Sequence, residues 1–189
     1  MNHALDNMKS LDIYVDSIAQ EEYEKIKDLL YPESKINANL LSFEFHLQNL
    51  DKLFKGASVN KDIFSLNYFS KTLSWKNNIE KILTQNPFEA LVLTDINRNI
   101  LWVNDGFTTM TGYPKNYAIN KTPSFLQGKS TSQQTRTRIR KKLTTGLPFK
   151  EVIINHRKDQ TTYKCEIHIF PLTKNNEVTH FLALEKQIA

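Results

Sequence analysis

Few side chains in this sequence have the types and spacing that chemistry needs. Cys165 is the one thiol, so an internal disulfide and a closed cysteine-rich metal site are both out of reach. The cationic neighbour Lys164 would favour a thiolate, but successive strand side chains point to opposite faces, which makes Cys165 a buried, inert thiol. The histidines contain no His-x-x-x-His pair, no nucleophile stands with a credible base, and no two carboxylates have catalytic spacing. His46 follows Glu44 on a helical stretch, as an exposed phosphoacceptor would, yet Leu47-Gln48-Asn49 does not resemble an acceptor box and no ATP-binding domain follows. A solvated flank histidine and a phosphotransfer site are the two readings. Gly56, Gly106, Gly112, Gly128 and Gly146 never come close enough to cradle a phosphate. An enzyme is not expected.

Much of the formal charge of +5 lies in Arg136, Arg138, Arg140, Lys141 and Lys142. Basic clusters bind phosphate, but no recognition-helix motif accompanies this one, so it reads as a solvated helix face and nucleic acid is not an expected partner. No apolar run approaches the ~20 residues that span a bilayer, and Asp6, Lys9 and Asp12 interrupt any signal-peptide core. A cytoplasmic chain without membrane contact is the expectation. Its 189 residues suit one domain plus an extension, and 40% hydrophobic content suffices for a core.

These residues must be positioned by two halves of different periodicity. Up to about residue 85 the pattern is helical. Ala19, Tyr23, Ile26 and Leu30 share one face, and Ile36, Leu40, Phe43, Leu47, Leu50 and Phe54 keep a four-three alternation that requires a partner, within the chain or in a second subunit. Gly56-Ala57-Ser58 reads as a break. The stretch from Asn60 to Lys71 has no clear period, and a last helix from Ser74 carries Trp75, Ile79 and Leu83 to a stop near Asn86-Pro87.

After Pro87 strands dominate. Ala90 to Leu93 and Ile100 to Val103 form a hairpin around Asp95, Asn97 and Arg98; short helices follow, punctuated by Gly112-Tyr113-Pro114. A longer helix spans about Thr131 to Leu143 and stops at Gly146. Val152 to Asn155, Tyr163 to Phe170 and His180 to Leu184 are three closing strands, with Tyr163, Cys165, Ile167 and Ile169 facing inward. Two strands, helices, then three strands pack naturally as an α+β layer.

That order, with Asn104-Asp105-Gly106-Phe107, then Met110-Thr111-Gly112-Tyr113, and Phe125-Leu126-Gln127-Gly128 ahead of the long helix, resembles the PAS fold over about residues 87–187, and within it the flavin-binding light-oxygen-voltage (LOV) branch. The resemblance implies a five-stranded antiparallel sheet with helices on one face for residues 86–189, preceded by an all-α region over 1–85 for dimerisation or partner docking. It places the family's photoadduct cysteine on Pro123, which forms no thioether, and one phosphate-binding arginine on Ser124. Gln127, Arg140 (the second phosphate-binding arginine) and Asn155 (the first ring-contacting asparagine) are retained. The second ring-contacting asparagine falls on Cys165, and the last-strand glutamine falls on Glu185, a carboxylate that is costly to bury unless protonated or paired.

Each retained residue also has a structural reading: Arg140 in the basic face, Asn155 paired with backbone, Gln127 capping the long helix. Bound FMN or FAD, another small ligand, and an empty self-packed core all stay open. Haem is not expected, because His156, His168 and His180 sit on outward strand positions and the long helix has no histidine. What the resemblance implies is a non-catalytic sensory protein of the kind found in bacterial two-component regulation. It would sense a ligand or redox state, or mediate association, pair as a homodimer, and act on a separate signalling protein through its N-terminal helices.

Overall fold

The computed structural model describes residues 58–188; the helical seam over 36–54 and His46 lie outside the described residues. Helix α1 occupies 58–73. Asp62 and Leu66, four apart, are buried on one face, with Ile63, Phe69 and Leu73 half-buried beside them. The break read at Gly56-Ala57-Ser58 falls at the edge of the described residues, and the unplaced stretch 60–71 is a helix whose period is masked by Phe64 and Tyr68, apolar residues on its exposed side. Ser74, at φ 60°, ends the helix.

Trp75 is buried but precedes the next helix instead of belonging to it. The Thr173 carbonyl accepts from the Lys76 N–H at 2.9 Å, and the Asn77 side chain bonds Thr173 N–H at 2.8 Å and Pro171 O at 3.1 Å. Those bonds hold the segment extended against the sheet. Helix α2, Ile79–Gln85, then starts from Asn78, whose side chain accepts from Lys81 N–H at 2.8 Å.

The sheet contains β1 (Ala90–Asp95), β2 (Ile100–Val103), β3 (Phe149–His156), β4 (Thr162–Lys174) and β5 (Glu177–Ile188). All neighbours are antiparallel in the order β2-β1-β5-β4-β3. β1 is an interior strand buried on both faces, which explains its unbroken apolar run: Ala90 and Val92 face inward, while Leu91 and Leu93 face outward.

On the outward face, Leu91, Leu93, Leu172, Leu182 and Leu184 pack against Leu66, Trp75, Ile79 and Leu83. A fully buried leucine contributes about 1.5–3 kcal/mol, so this layer fixes α1 and α2 to the sheet. The inward face carries α3 (Asp105–Thr111), α4 (Lys115–Ala118), a 3-10 turn (Pro123–Leu126) and α5 (Gln133–Leu143). Gly112, at φ 74°, terminates α3.

Asn104 joins the layers. Its carbonyl accepts from Leu91 N–H at 2.9 Å and from Phe107 N–H at 3.0 Å, capping α3, while its amide donates to Asp62 of α1 at 2.9 Å. Among the described residues no helix is long and apolar enough to cross a membrane.

Candidate functional site

Between the inward face and α5 lies a cavity of about 260 Å³. The strands supply its apolar wall through Val92, Ile153, Ile167, Ile169 and Phe181, and α5 closes it with Ile139 and Leu143. The 3-10 turn forms one rim through Pro123, Ser124 and Leu126. That turn is braced by an aromatic cluster: Phe125 meets Tyr113 edge-on at 5.1 Å and Tyr117 at 5.5 Å, and the two tyrosines stack at 4.9 Å.

The sequence assigned five positions to this pocket, and four of them line it. Gln127 follows the 3-10 turn, Arg140 projects from α5, Asn155 is buried on β3 and Glu185 on β5. Cys165 does not line the cavity. It lies in the core on β4, its Sγ 3.9 Å from Glu185 Oε2, and burial followed by the Glu185 charge pushes the thiol well above its ordinary value. Gln127 does not cap α5, because Ser132 takes that position and accepts from Thr135 N–H. Asn155 stands opposite Tyr163 in the β3–β4 register, beside the buried Tyr163 hydroxyl.

Glu185 is 5% exposed. Burial pushes its carboxyl up to about 7, and the Cys165 thiol only partly offsets this. Near neutral pH the group is therefore poised to donate a hydrogen bond as an acid or accept one as a carboxylate.

Two cavity residues were not singled out from sequence. Arg136 precedes Arg140 by four residues, a spacing that puts both on one helix face; Arg98 comes from the β1–β2 turn at φ 71°. The α5 spacing was legible, but it was absorbed into a general basic face. Among the described residues, no group of three or more His, Cys, Asp or Glu is placed to hold a metal ion.

A five-stranded antiparallel sheet, short helices on one face and a cavity under the long helix define a sensory module of the PAS type, LOV-like in its rim motif. The PAS domain family matches residues 89–187, more than half of the sequence, and the chain belongs to that family. It is 32% identical over 102 residues to a blue-light photoreceptor of Listeria innocua, covering 52% of this chain and 40% of that protein. It is 31% identical over 101 residues to a nitrogen fixation regulatory protein of Klebsiella oxytoca, covering 53% of this chain and 20% of that protein. The chain thus spans less than half the length of these relatives. Among solved structures, the LOV domain of a blue-light activated histidine kinase from Erythrobacter litoralis superposes with a TM-score of 0.51 at 26% identity, covering 55% of this chain and 98% of that one.

Proposed function

We propose that this chain is a non-catalytic sensory protein whose PAS domain holds a flavin nucleotide, FMN or FAD, without a covalent bond. The observation that carries this reading is the two-ended cavity: Gln127, Asn155 and Glu185 supply hydrogen-bonding groups to an apolar slot that also receives Arg98, Arg136 and Arg140. The buried Nε of Arg136 has no hydrogen-bond partner, as expected of a residue whose acceptor comes from a ligand. A flavin supplies blue absorbance and reversible electron uptake when bound. The protein supplies the apolar walls, the polar contacts to the ring and the cations for its tail. Pro123 offers no thiol at the rim, and Cys165 is screened behind Glu185.

The transmission route in this reading is β5. Glu185 faces the cavity, while its neighbour Leu184 faces α1 and α2 on the other side. The Glu185 carbonyl also accepts from Glu89 N–H at 2.8 Å, and the Glu89 carboxylate accepts from Gln187 N–H at 3.1 Å, where α2 leads into β1. A change in the Glu185 hydrogen bond therefore reaches both the helical layer and its connection to the sheet. The N-terminal helices then act on a second copy or a separate signalling protein in the cytoplasm.

The test is the visible absorbance spectrum of the purified protein, with the heat-denatured supernatant checked for released flavin. A structured blue band supports the reading. A colourless protein that also fails to bind added FMN removes it. A second reading, pure association, is favoured by Phe64 and Tyr68, which are 79% and 67% exposed on α1. Sedimentation of Phe64→Ser/Tyr68→Ser against the parent distinguishes it: loss of self-association supports this face, and unchanged association removes it.

A further inference from the structure

The charges on α5 fall into two sets. Arg138 and Lys142 both bond Glu151, at 3.2 and 3.0 Å, and lie on the side turned to β3 and solvent. Arg136 and Arg140 line the cavity with Arg98, and among the described residues none of these three takes part in an ion pair. Arg136 is half-buried, while Arg98 and Arg140 are exposed at the cavity mouth; like charges gathered there repel one another, an arrangement that an anion relieves.

Arg136 is held ready for such an anion. One end of its fork donates to Gly128 O at 3.2 Å, while Nε is buried and unpartnered. The Gly128 carbonyl is itself fixed. Thr131 N–H donates to it at 3.0 Å, Gly128 N–H donates to Thr131 Oγ1 at 3.0 Å, and that hydroxyl donates to Ile154 O at 2.6 Å. The His156 ring packs directly on Gly128, 2.6 Å from where a Cβ would stand, so a side chain there would have to displace it. The loop is pressed onto β3 in one geometry, and that geometry aims Arg136.

The cavity's one carboxylate does not answer these cations. Glu185 forms no ion pair with any arginine among the described residues, and its Oε2 lies against Cys165 Sγ at 3.9 Å.

We infer that Arg136 and Arg98, together with Arg140, form a clamp for the phosphate end of the cavity's ligand, replacing the guanidinium absent at Ser124. Neither Arg136 nor Arg98 is assigned a role by the family pattern. The clamp selects a phosphorylated ligand over its uncharged counterpart. With FMN as the ligand this rests on the proposed function, but the clamp itself is a statement about phosphate.

Fluorescence titration of the full chain with FMN and with riboflavin, which lacks the phosphate, reads the selection directly. The parent is expected to bind FMN about tenfold or more tighter, as charge-assisted hydrogen bonds to phosphate require. Arg136→Gln and Arg98→Gln each shrink that ratio by several-fold while leaving riboflavin binding in place; Arg138→Gln, paired to Glu151, leaves it unchanged. Equal binding of the two flavins by the parent, or an undiminished ratio in Arg136→Gln, overturns the clamp. If neither flavin binds, the flavin reading fails and pyrophosphate decides the clamp separately. A melting temperature raised by pyrophosphate in the parent but not in Arg136→Gln upholds it. No shift in the parent, or the same shift in both, overturns it.

Discussion

On the outward face of the sheet, leucines from β1, β4 and β5 meet Leu66, Trp75, Ile79 and Leu83 directly; Trp75 donates to His180 at 3.1 Å and Asp62 accepts from Asn104 at 2.9 Å, while His168 Nδ1 on β4 is buried without a partner. On the inward face, isoleucines and Phe181 from the same sheet line a cavity of about 260 Å³, and Arg136 Nε is buried there without a partner. The two faces share strands but not purpose. One is packed to hold helices in place, and the other keeps room for a ligand. Sheet proteins can keep such a site because the second face carries the stability that the first gives up.

The sharpest way to break this contrast is to truncate one residue on each face. Leu182→Ala, in the outward layer, is expected to cost about 2–5 kcal/mol in denaturant unfolding. Ile169→Ala, at the cavity wall, enlarges an existing space and belongs at the low end of that range or below it. Equal losses would mean that the inward face is packed as tightly as the outward one.

Asn104→Ala removes the α3 cap, the acceptor for Leu91 N–H and the donor to Asp62 together, with an expected loss of about 3–4 kcal/mol. Burial already pushes the Asp62 carboxyl above its ordinary value, so the loss should be greater near neutral pH than in acid. Chemical denaturation at two pH values checks both statements.

Glu185 sharpens the contrast through pH. Its folded value of about 7 lies above its ordinary 4.5, so the folded state binds the proton more tightly than the unfolded chain does. Its contribution is therefore fully present below about 4.5, declines as pH rises toward 7 and is gone above it. Glu185→Gln removes that slope and should gain up to about 3 kcal/mol on the parent between pH 5 and pH 8. A constant difference across that range would mean that Glu185 has found a cation.

The smallest effect is expected at Arg138→Ala. It breaks an ion pair with Glu151 in which the arginine is half exposed, and it should cost less than about 1 kcal/mol.

Much of the sheet and part of the site could be read from residue order. The Ala90–Leu93 run, the alternation at Tyr163, Cys165, Ile167 and Ile169, and the Asn104 and Gly112 signals each correspond to an element with a local cause. Helix α1 was hidden because its period is mixed: Phe64 and Tyr68 are exposed while Asp62 is buried, so hydrophobicity does not mark the packed side. Trp75 has the spacing of a helix residue, but its neighbours Lys76 and Asn77 are held by bonds to β4, almost a hundred positions away. The strands β4 and β5 extend to Lys174 and Glu177 because polar residues can pair through backbone alone. Arg136 was visible as a charge, but which arginines turn inward depends on the helix's rotation against the sheet. Cys165 aligned with a pocket position and lies behind Glu185, a difference of depth that linear order does not record.

The bonds at Glu89 have a mechanical consequence. The start of β1 and the end of β5 lie side by side, with Ala90 opposite Glu185 and Leu91 opposite Leu184. A tug from α2 on Glu89 meets this seam at its tip, so it peels the two strands apart one rung at a time instead of sliding them past each other. Peeling needs less force than sliding, and the first bonds to give are those of Glu89 to Gln187 N–H and to the carbonyl of Glu185, the residue that faces the cavity.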